Sequence, residues 1–333
     1  MTDPLVSILV PAHNAARWID ETLRSAIGQT WSRKEIIIVD DGSSDNTASV
    51  VRPHECSFVK LVAQENQGAA RARNRALSLA QGDYIQWLDA DDLLAPDKVA
   101  RQMEAALEAS PRILFSSSFA TFSVDPSRAS FSPGPLWKDL SPAEWIAQKF
   151  ANNSWLNPAV WLVSRELTGV AGAWNPELSL DDDGEYFCRV VAASEFVRFV
   201  PEARSYYRRW NAASLSRGSS KEARRSLLKS LKLSVGHLLR LEDSERTREA
   251  ARSYLQVWMA DFYADETGLL DELQAFAKDL GGELNPPWLG AKYRLIQHLF
   301  GWSAAKKATR IVAAVKLAAN MRRDRLRSSL RAH

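Results

Sequence analysis

Three short apolar segments in the first hundred residues each run directly into a polar turn. They are residues 5–10 before Pro11-Ala12-His13-Asn14, residues 35–39 before an Asp-Asp-Gly-Ser turn, and residues 84–88 before Asp89-Ala90-Asp91-Asp92. Segments that are apolar on both faces are typical of buried parallel strands. Residues 18–27 between them have helical spacing. The alternation predicts an α/β fold with a mostly parallel sheet flanked by helices.

Asp89 and Asp91 stand two residues apart in the third turn. Ligands of open α/β sheets bind beyond the carboxyl ends of the strands. Two carboxylates aimed at one point repel each other, so a cation is expected between them. Mg²⁺ or Mn²⁺ fits, because these ions take oxygen ligands and share them with substrate phosphates. The alternative is an acidic helix cap or a solvated turn.

Four segments in the same order resemble the successive motifs of family 2 glycosyltransferases, which have the GT-A fold. They are residues 6–14, 36–47, 66–74 and 82–92. The resemblance implies a nucleoside-diphosphate sugar as donor, with a UDP-sugar as the default, and a divalent metal.

The resemblance also implies roles for single residues of the donor site. Asp40 would contact the base, and Pro11 and Ala12 would line the nucleotide pocket. Asp89 would touch the ribose or the metal shell, and Asp91 would ligate the metal.

Arg71 and Arg73 belong to an arginine-rich segment that we expect to lead into a helix over residues 76–80. Guanidinium groups pair well with phosphate oxygens, so both are candidates for binding the donor diphosphate. For Arg71 the alternative is a solvated helix face. Asp41 is expected to cap the helix that follows it rather than to touch substrate.

An acidic run at residues 181–183 precedes residues 186–191, which have helical spacing. By the same resemblance, Asp182 and Asp183 occupy the place of the family's Glu-Asp pair. Asp183 then matches the catalytic base, with Asp182 as its rival or as an acceptor contact. A helix N-terminus is expected to lower the pKa of Asp183 and to keep it ionised. The alternative role is helix capping.

Residues 206–210 resemble the family's Tyr-Arg-x-His block, with Trp210 where a His is frequent. Arg208 and Arg209 are candidates for contact with the diphosphate or the acceptor. Tyr206 stands at the Gln position of the processive members' Gln-x-x-Arg-Trp signature, which favours transfer of one residue at a time. Aromatic rings suit sugars, and at most one of four tryptophans is expected to contact the acceptor. These are Trp137, Trp145, Trp155 and Trp161.

The length of 333 residues permits a large α/β domain with an appendage. We expect a nucleotide-sugar half at residues 1–115, an acceptor half at residues 116–216 and a helical region at residues 217–333. Residues 291–333 contain eleven Lys or Arg against one Asp. This basic tail could lie on an anionic membrane surface or form a packed helix with a solvated face.

The two cysteines suggest a reducing compartment, and neither a signal peptide nor an apolar spanning segment is evident. The expected protein is therefore cytoplasmic, with peripheral contact at the inner face of the membrane as an option. No nucleic acid partner is expected.

The expected activity is inverting, metal-assisted transfer of a sugar to a hydroxyl of a glycan or lipid-linked acceptor. One rival is a sugar-nucleotide nucleotidyltransferase, although Pro11-Ala12-His13-Asn14 is not the Gly-rich loop that such an enzyme needs. The other rival is a nucleotide-sugar-binding protein without catalysis.

Overall fold

A computed structural model describes residues 3–209, 220–263 and 268–287, together with part of residues 293–315. Trp210 and most of the basic tail lie outside the described residues.

Within these ranges, nine strands form one mixed sheet, in the order β3-β2-β1-β4-β8-β6-β9-β5, with β7 paired to β6. The strands are β1 Val6–Ala12, β2 Lys34–Asp41, β3 Val59–Gln64, β4 Tyr84–Trp87, β5 Leu93–Leu94, β6 Ile113–Phe122, β7 Ser130–Phe131, β8 Leu162–Ser164 and β9 Phe196–Arg208. The helices are α1 Ile19–Ile27, α2 Thr47–Val51, α3 Ala69–Leu79, α4 Lys98–Ala106, α5 Pro142–Ala151, α6 Arg165–Ala171, α7 Asp182–Ala193, α8 Lys221–Leu241, α9 Glu245–Phe262 and α10 Leu269–Asp279.

The first four long strands pair in parallel, with β1 between β2 and β4. Strand β8 then pairs antiparallel with both β4 and β6, and β6 runs parallel to β9. One sheet therefore runs through both residues 1–115 and residues 116–216, the expected nucleotide-sugar and acceptor halves. The predicted α/β class with a mostly parallel sheet and flanking helices is confirmed, and the antiparallel pairing of β5, β7 and β8 makes the sheet mixed.

Apolar clusters cover both faces of the sheet. One contains the β-branched residues of β1 and β2 that face α1, such as Ile8 and Ile38, and the other contains Trp87, Trp161 and Tyr186. Strands buried on both faces need such apolar sequences, which is why residues 35–39 could be recognised as a strand.

Helix α3 begins at Ala69, so the expected helix over residues 76–80 was placed too late. Gly68 precedes the helix with a φ of 90°, in the left-handed region where glycine is favoured. Alanines at positions 70, 72 and 76 face the core, and the polar residues between them belong to the helix as well. Arg71 and Arg73 consequently lie on α3.

The helices after residue 220 pack on the rest of the protein. Helix α8 contacts α7, and α9 contacts α5. Both cysteines are free, with Cys56 exposed and Cys188 buried. None of the helices in the described ranges has the length and the apolar run needed to cross a bilayer.

Candidate functional site

The polar turns after β1, β2 and β4 meet at one edge of the sheet. Ala12, the last residue of β1, is paired with Asp40 of β2. On the other side of β1, the amide of Leu88 donates to the carbonyl of Leu9 at 3.0 Å, which places Asp89 beside the end of β1. Neighbouring parallel strands therefore bring Ala12, Asp40 and Asp89 to the same edge, as their position after apolar strands predicted.

Side-chain bonds join the loop after β1 to the loop after β2. Asn14 has a φ of 50°, and its Oδ1 accepts from the amides of Ser44 at 2.8 Å and Asp45 at 3.3 Å. Thr47 accepts from the amide of Ala15 at 2.8 Å. Asn tolerates a left-handed backbone better than most residues, which suits it to this junction. The two loops thus form one rigid wall of the site.

Asp40 and Asp41 are both buried but have different partners. Asp40 accepts from the amide and the hydroxyl of Ser43, within its own turn. Asp41 accepts from the amides of Gln67 and Gly68, both at 2.8 Å, and from the Gln64 side chain at 2.7 Å. The prediction that Asp41 caps the next helix, α2, was wrong. Its carboxylate instead accepts from amides at the start of α3, in the loop that follows the neighbouring strand β3.

The turn after β4 gathers three carboxylates. Burial and the neighbouring Asp89 raise the pKa of Asp91 to about 6. Asp92 is fully buried and accepts from the Arg208 amide at 2.9 Å and from Asn157 at 3.0 Å. Burial, followed by the nearby Asp91 and Asp89, raises the pKa of Asp92 well above its ordinary value. Asp92 therefore fastens the turn to β9.

Arg73 connects this turn to the second acidic segment. Its Nη2 lies 3.0 Å from Asp89 and its Nη1 lies 2.7 Å from Asp182, while the guanidinium stacks on Trp174 at 4.3 Å. The arginine is 7% exposed, so both ion pairs are shielded from water. Its two terminal nitrogens are engaged with carboxylates, whereas the neighbouring Arg71 of α3 is exposed.

Asp183, in the first turn of α7, has a raised pKa rather than the lowered one expected from its place at a helix N-terminus. Burial is the first cause, and Asp182 and Asp181 add like charge, which together outweigh Arg73 and bring the pKa to about 7. The helix dipole contributes about 0.3–1 kcal/mol at an exposed site, which is less than these opposing effects. The expectation of a lowered pKa was therefore wrong.

Helix α8 holds the acidic segment from behind. Ser226 accepts from the amide of Ser179 at 2.8 Å and of Leu180 at 3.2 Å. Ser230, one turn further, donates to Asp181 Oδ2 at 2.7 Å. Asp181 itself has a φ of 58°, a strained conformation for a residue with a side chain. Nothing in the local sequence of residues 179–183 indicated these distant partners.

The Arg208 side chain is buried and is therefore not free to bind a diphosphate. Its Nη2 pairs with Glu21 at 2.6 Å, its Nε donates to the Asp91 carbonyl at 2.8 Å, and its guanidinium stacks on Trp18 and Phe122. Arg208 thus supports the backbone of the acidic turn. Arg209 is exposed.

Tyr207 is a site residue that sequence reasoning missed. Burial, followed by the carboxylates of Asp92, Asp89, Asp91 and Asp183, raises the pKa of its hydroxyl. The residues on either side of it bond to the segment after β4, because Tyr206 pairs with Leu93 and the Arg208 amide donates to Asp92 at 2.9 Å. Its place between Tyr206 and Arg208 in the family-like block was the only available signal.

Asp89 and Asp91 suit a hard divalent cation that takes its remaining ligands from a diphosphate and water. The described residues contain no group of three or more His, Cys, Asp or Glu that could enclose a metal alone. Burial, followed by the charge of Asp89, raises the pKa of Asp91, and a bound cation would favour its ionised form.

A mostly parallel sheet with carboxylates at the ends of β2 and β4, on either side of β1, defines the chain as an α/β protein with a candidate ligand site at the strand ends. The sequence profile of the family described as Glycosyl transferase family 2 matches residues 7–164. This region, a little under half of the chain, is therefore similar to glycosyltransferase family 2.

Curated relatives match a shorter region. The chain is 41% identical over 110 residues to TuaG of Bacillus subtilis, named for teichuronic acid biosynthesis, covering 32% of this chain and 44% of the relative. It is 40% identical over 109 residues to WfgD of Escherichia coli, a UDP-Glc:alpha-D-GlcNAc-diphosphoundecaprenol beta-1,3-glucosyltransferase, covering 32% and 43%. The chain thus spans less than half the length of these relatives.

Solved structures resemble the fold over most of the chain. TarS of S. aureus, residues 1–349 in complex with UDP-GlcNAc, matches with a TM-score of 0.66 and 16% identity over 83% of this chain and 81% of TarS. The mannosyltransferase PcManGT of Pyrobaculum calidifontis, in complex with GDP-Man and Mn²⁺, matches with a TM-score of 0.55 and 20% identity over 95% and 87%. At these identities the likeness concerns the fold, which is of the GT-A type.

Proposed function

We propose that this chain transfers a sugar from a nucleoside-diphosphate sugar to an acceptor hydroxyl, one residue at a time and with inversion. The observation that carries the proposal is the bridge through Arg73, which holds the Asp89 turn and the Asp182-Asp183 turn together. A donor bound at the Asp89 turn and a base in the Asp182-Asp183 turn would then lie on either side of the reacting sugar. We assign the donor to residues 1–115, the acceptor to residues 116–216 and support to residues 217–333.

The donor is assigned to the rigid wall at the ends of β1 and β2. Pro11 and Ala12 line the pocket, and Asp40 accepts a hydrogen bond from the base or ribose. UDP-sugar is the default donor, supported by the UDP-GlcNAc bound to the structurally similar TarS. Arg73, and the exposed Arg71 and Arg209, are assigned to the diphosphate or acceptor side, where cationic groups would offset phosphate charge.

Asp89 and Asp91 would hold Mg²⁺ or Mn²⁺ against the diphosphate. Such an ion supplies Lewis-acid stabilisation of the departing nucleoside diphosphate. The Mn²⁺ in the structurally similar mannosyltransferase supports this choice.

Asp183 is assigned as the general base. The acceptor oxygen attacks the anomeric carbon, its proton passes to the Asp183 carboxylate, and the bond to the diphosphate oxygen breaks, so that the nucleoside diphosphate leaves with the electron pair. One displacement inverts the anomeric centre. Asp182 is the rival, but its carboxylate is engaged by the Arg73 ion pair at 2.7 Å and is therefore less free to meet an acceptor hydroxyl.

A lipid-linked acceptor at an anionic membrane is supported by the substrate in the name of WfgD and by the C-terminal segment. Trp302 packs on Tyr263 with ring centroids 4.9 Å apart, while Leu295, Leu299 and Phe300 are between 60% and 70% exposed. Basic residues interleaved with exposed apolar side chains bind anionic bilayers.

The membrane contact is tested by sedimentation with vesicles of phosphatidylglycerol and phosphatidylcholine. Binding should fall when residues 291–333 are deleted and should weaken with salt. Equal sedimentation of both proteins, with the truncated protein folded by circular dichroism, would leave the packed-tail alternative.

The transfer function is tested first by binding. Thermal unfolding should shift with one nucleotide-sugar in the presence of Mn²⁺, because a ligand at 100 Kd stabilises the fold by about 2.7 kcal/mol. Asp91→Asn should lose the metal-dependent part of that shift and keep its fold, and Asp97→Asn on an exposed helix start serves as the control. Equal donor affinity with and without EDTA, in wild type and Asp91→Asn, would contradict the metal assignment.

A further inference from the structure

Trp155 is an aromatic residue at the site that the proposed chemistry does not use. Its ring is 43% exposed, although large aromatic side chains are more often buried. By contrast, Trp145 and Trp161 are at most 1% exposed and belong to the core.

Two other rings hold Trp155 in a fixed orientation. The centroid of Tyr207 lies 5.0 Å away at an interplanar angle of 65°, and that of Phe119 lies 5.1 Å away at 57°. Phe119 is supported in turn by Trp137 at 6.0 Å. An exposed ring that is braced at its edges can present a face to a ligand with little loss of side-chain entropy on binding. We call Trp155, Phe119 and Tyr207 the aromatic platform.

The aromatic platform adjoins the reacting centre. Tyr207 stands between Tyr206, which pairs with Leu93 just after the acidic turn, and Arg208, whose amide donates to Asp92 at 2.9 Å. Asn157, two residues after Trp155, donates to Asp92 at 3.0 Å and anchors the same connection to the acidic turn. Both contacts place the platform beside the acidic turn, which Arg73 joins to Asp182, the residue before Asp183.

Sheet order separates the platform from the nucleotide wall. Asp40 and Ala12 belong to β2 and β1, on one side of β4, whereas Phe119 and Tyr207 belong to β6 and β9, beyond β8 on the other side. A ligand on the platform thus approaches from the side opposite the nucleotide, which is the side from which an acceptor must attack if the anomeric centre is inverted.

From this arrangement we propose that the aromatic platform binds a pyranose ring of the acceptor, which stacks on the exposed ring of Trp155. This proposal rests on the proposed transfer function. A pyranose has a face of C–H groups that stacks on an aromatic ring, and its hydroxyls remain free at the rim to reach Asp183. An acyclic polyol has no such face. The acceptor recognised here is consequently a sugar ring at the end of a glycan or a sugar attached to a lipid diphosphate.

The binding test needs no turnover. The protein is labelled with 5-fluorotryptophan, loaded with UDP and Mg²⁺, and the Trp155 resonance is assigned by its loss in Trp155→Phe. Methyl glycosides of glucose, galactose and N-acetylglucosamine are the probes, and ribitol is the acyclic control. At least one glycoside should move the Trp155 resonance while ribitol does not. A Trp155 resonance that stays in place with all three glycosides, or moves equally with ribitol, would overturn the proposal.

The second test separates this subsite from the transfer function. Release of nucleoside diphosphate is measured with water alone and with the methyl glycoside that shifts the resonance. Trp155→Ala should keep the rate with water but raise the KM for the glycoside about tenfold, the size of losing one aromatic stacking contact. Trp155→Phe should recover most of that loss, and Phe58→Ala, at an exposed ring beside Lys34, should change neither rate.

An unchanged glycoside KM in Trp155→Ala would overturn the platform while leaving transfer intact. If the wild type released no nucleoside diphosphate either with water or with any of the glycosides, the result would instead contradict the proposed function, and the resonance shift would still decide the subsite.

Discussion

Ser230 donates a hydrogen bond of 2.7 Å to Asp181, and this bond ties helix α8 to the residue that begins the acidic turn. The same hydroxyl lies 2.9 Å from the Asp181 carbonyl oxygen, so a single serine restrains both the side chain and the backbone of a left-handed residue. The position of Asp183 two residues later depends on that restraint.

Ser230→Ala should lower kcat about tenfold while the donor KM stays near the wild-type value, because a displaced base affects the chemical step and leaves the nucleotide wall unchanged. The free energy of unfolding should fall by about 1–3 kcal/mol, since a buried carboxylate oxygen loses its partner. Donor-hydrolysis kinetics and thermal unfolding measure the two effects. Ser234→Ala is the matched control, because this buried serine lies beside Cys188 instead of the acidic turn. Equal kcat in the Ser230 and Ser234 variants would refute the positioning role.

Gly184→Ala should disturb the same turn by crowding. A Cβ at this position would lie 2.1 Å from Asp181 Oδ1, so the carboxylate would have to leave Ser230. We expect a loss of kcat at least as large as that in Ser230→Ala, measured under the same conditions. Gly169→Ala on α6 is the control, because its Cβ meets open space and alanine favours a helix by about 0.5–1 kcal/mol. A Gly184 variant as active and stable as the Gly169 variant would show that the turn tolerates the displacement.

Asp183→Asn should reduce kcat by about 10²–10⁴, the usual contribution of a general base, with donor affinity preserved. The pKa of about 7 also predicts how the reaction rate depends on pH, because only the ionised carboxylate accepts a proton. The wild-type rate should therefore rise with pH through about 7 and level off above it. The variant should lack that rise. A larger loss in Asp182→Asn would transfer the role to Asp182.

The same pKa predicts how stability depends on pH. A carboxyl whose pKa is higher in the folded state binds more protons there than in the unfolded chain. Its contribution to stability is therefore present below the unfolded pKa of about 3.9 and is lost as pH rises towards about 7. Asp183→Asn should flatten this part of the curve when urea midpoints are compared between pH 5 and 8. Parallel curves for both proteins would contradict the raised pKa.

Asp40→Ala and Asp41→Ala should have different effects although the residues are adjacent. Asp40→Ala should raise the donor KM more than it lowers kcat, because this residue is assigned to the nucleotide. Asp41→Ala should mainly destabilise the fold, by about 1–3 kcal/mol for each buried donor left unpaired, because Asp41 holds the start of α3. Calorimetric donor binding and denaturant unfolding separate the two outcomes. A reversed pattern would exchange the two assignments.

The sheet edge could be predicted from sequence because its determinants are local. A buried parallel strand needs an apolar run, and the turn that ends it needs polar residues, so the positions of Asp40 and Asp89 follow from neighbouring residues. The bridge through Arg73 could not be predicted in this way, since Asp182 is 109 residues away. The raised pKa of Asp183 escaped prediction for the same reason, because the burial that causes it comes from elements distant in sequence.

The bonds from Ser226 and Ser230 lie beyond residue 164, where the family profile ends. The proposed base, Asp183, and the helix α8 that holds its turn therefore both lie outside the region that the family profile matches. Residues 1–216 are consequently not expected to keep full activity when they are separated from α8. In a chimaera that joined residues 1–216 to the C-terminal helices of a relative, nucleotide binding would survive the graft more readily than turnover, unless the serines of α8 were carried across with it.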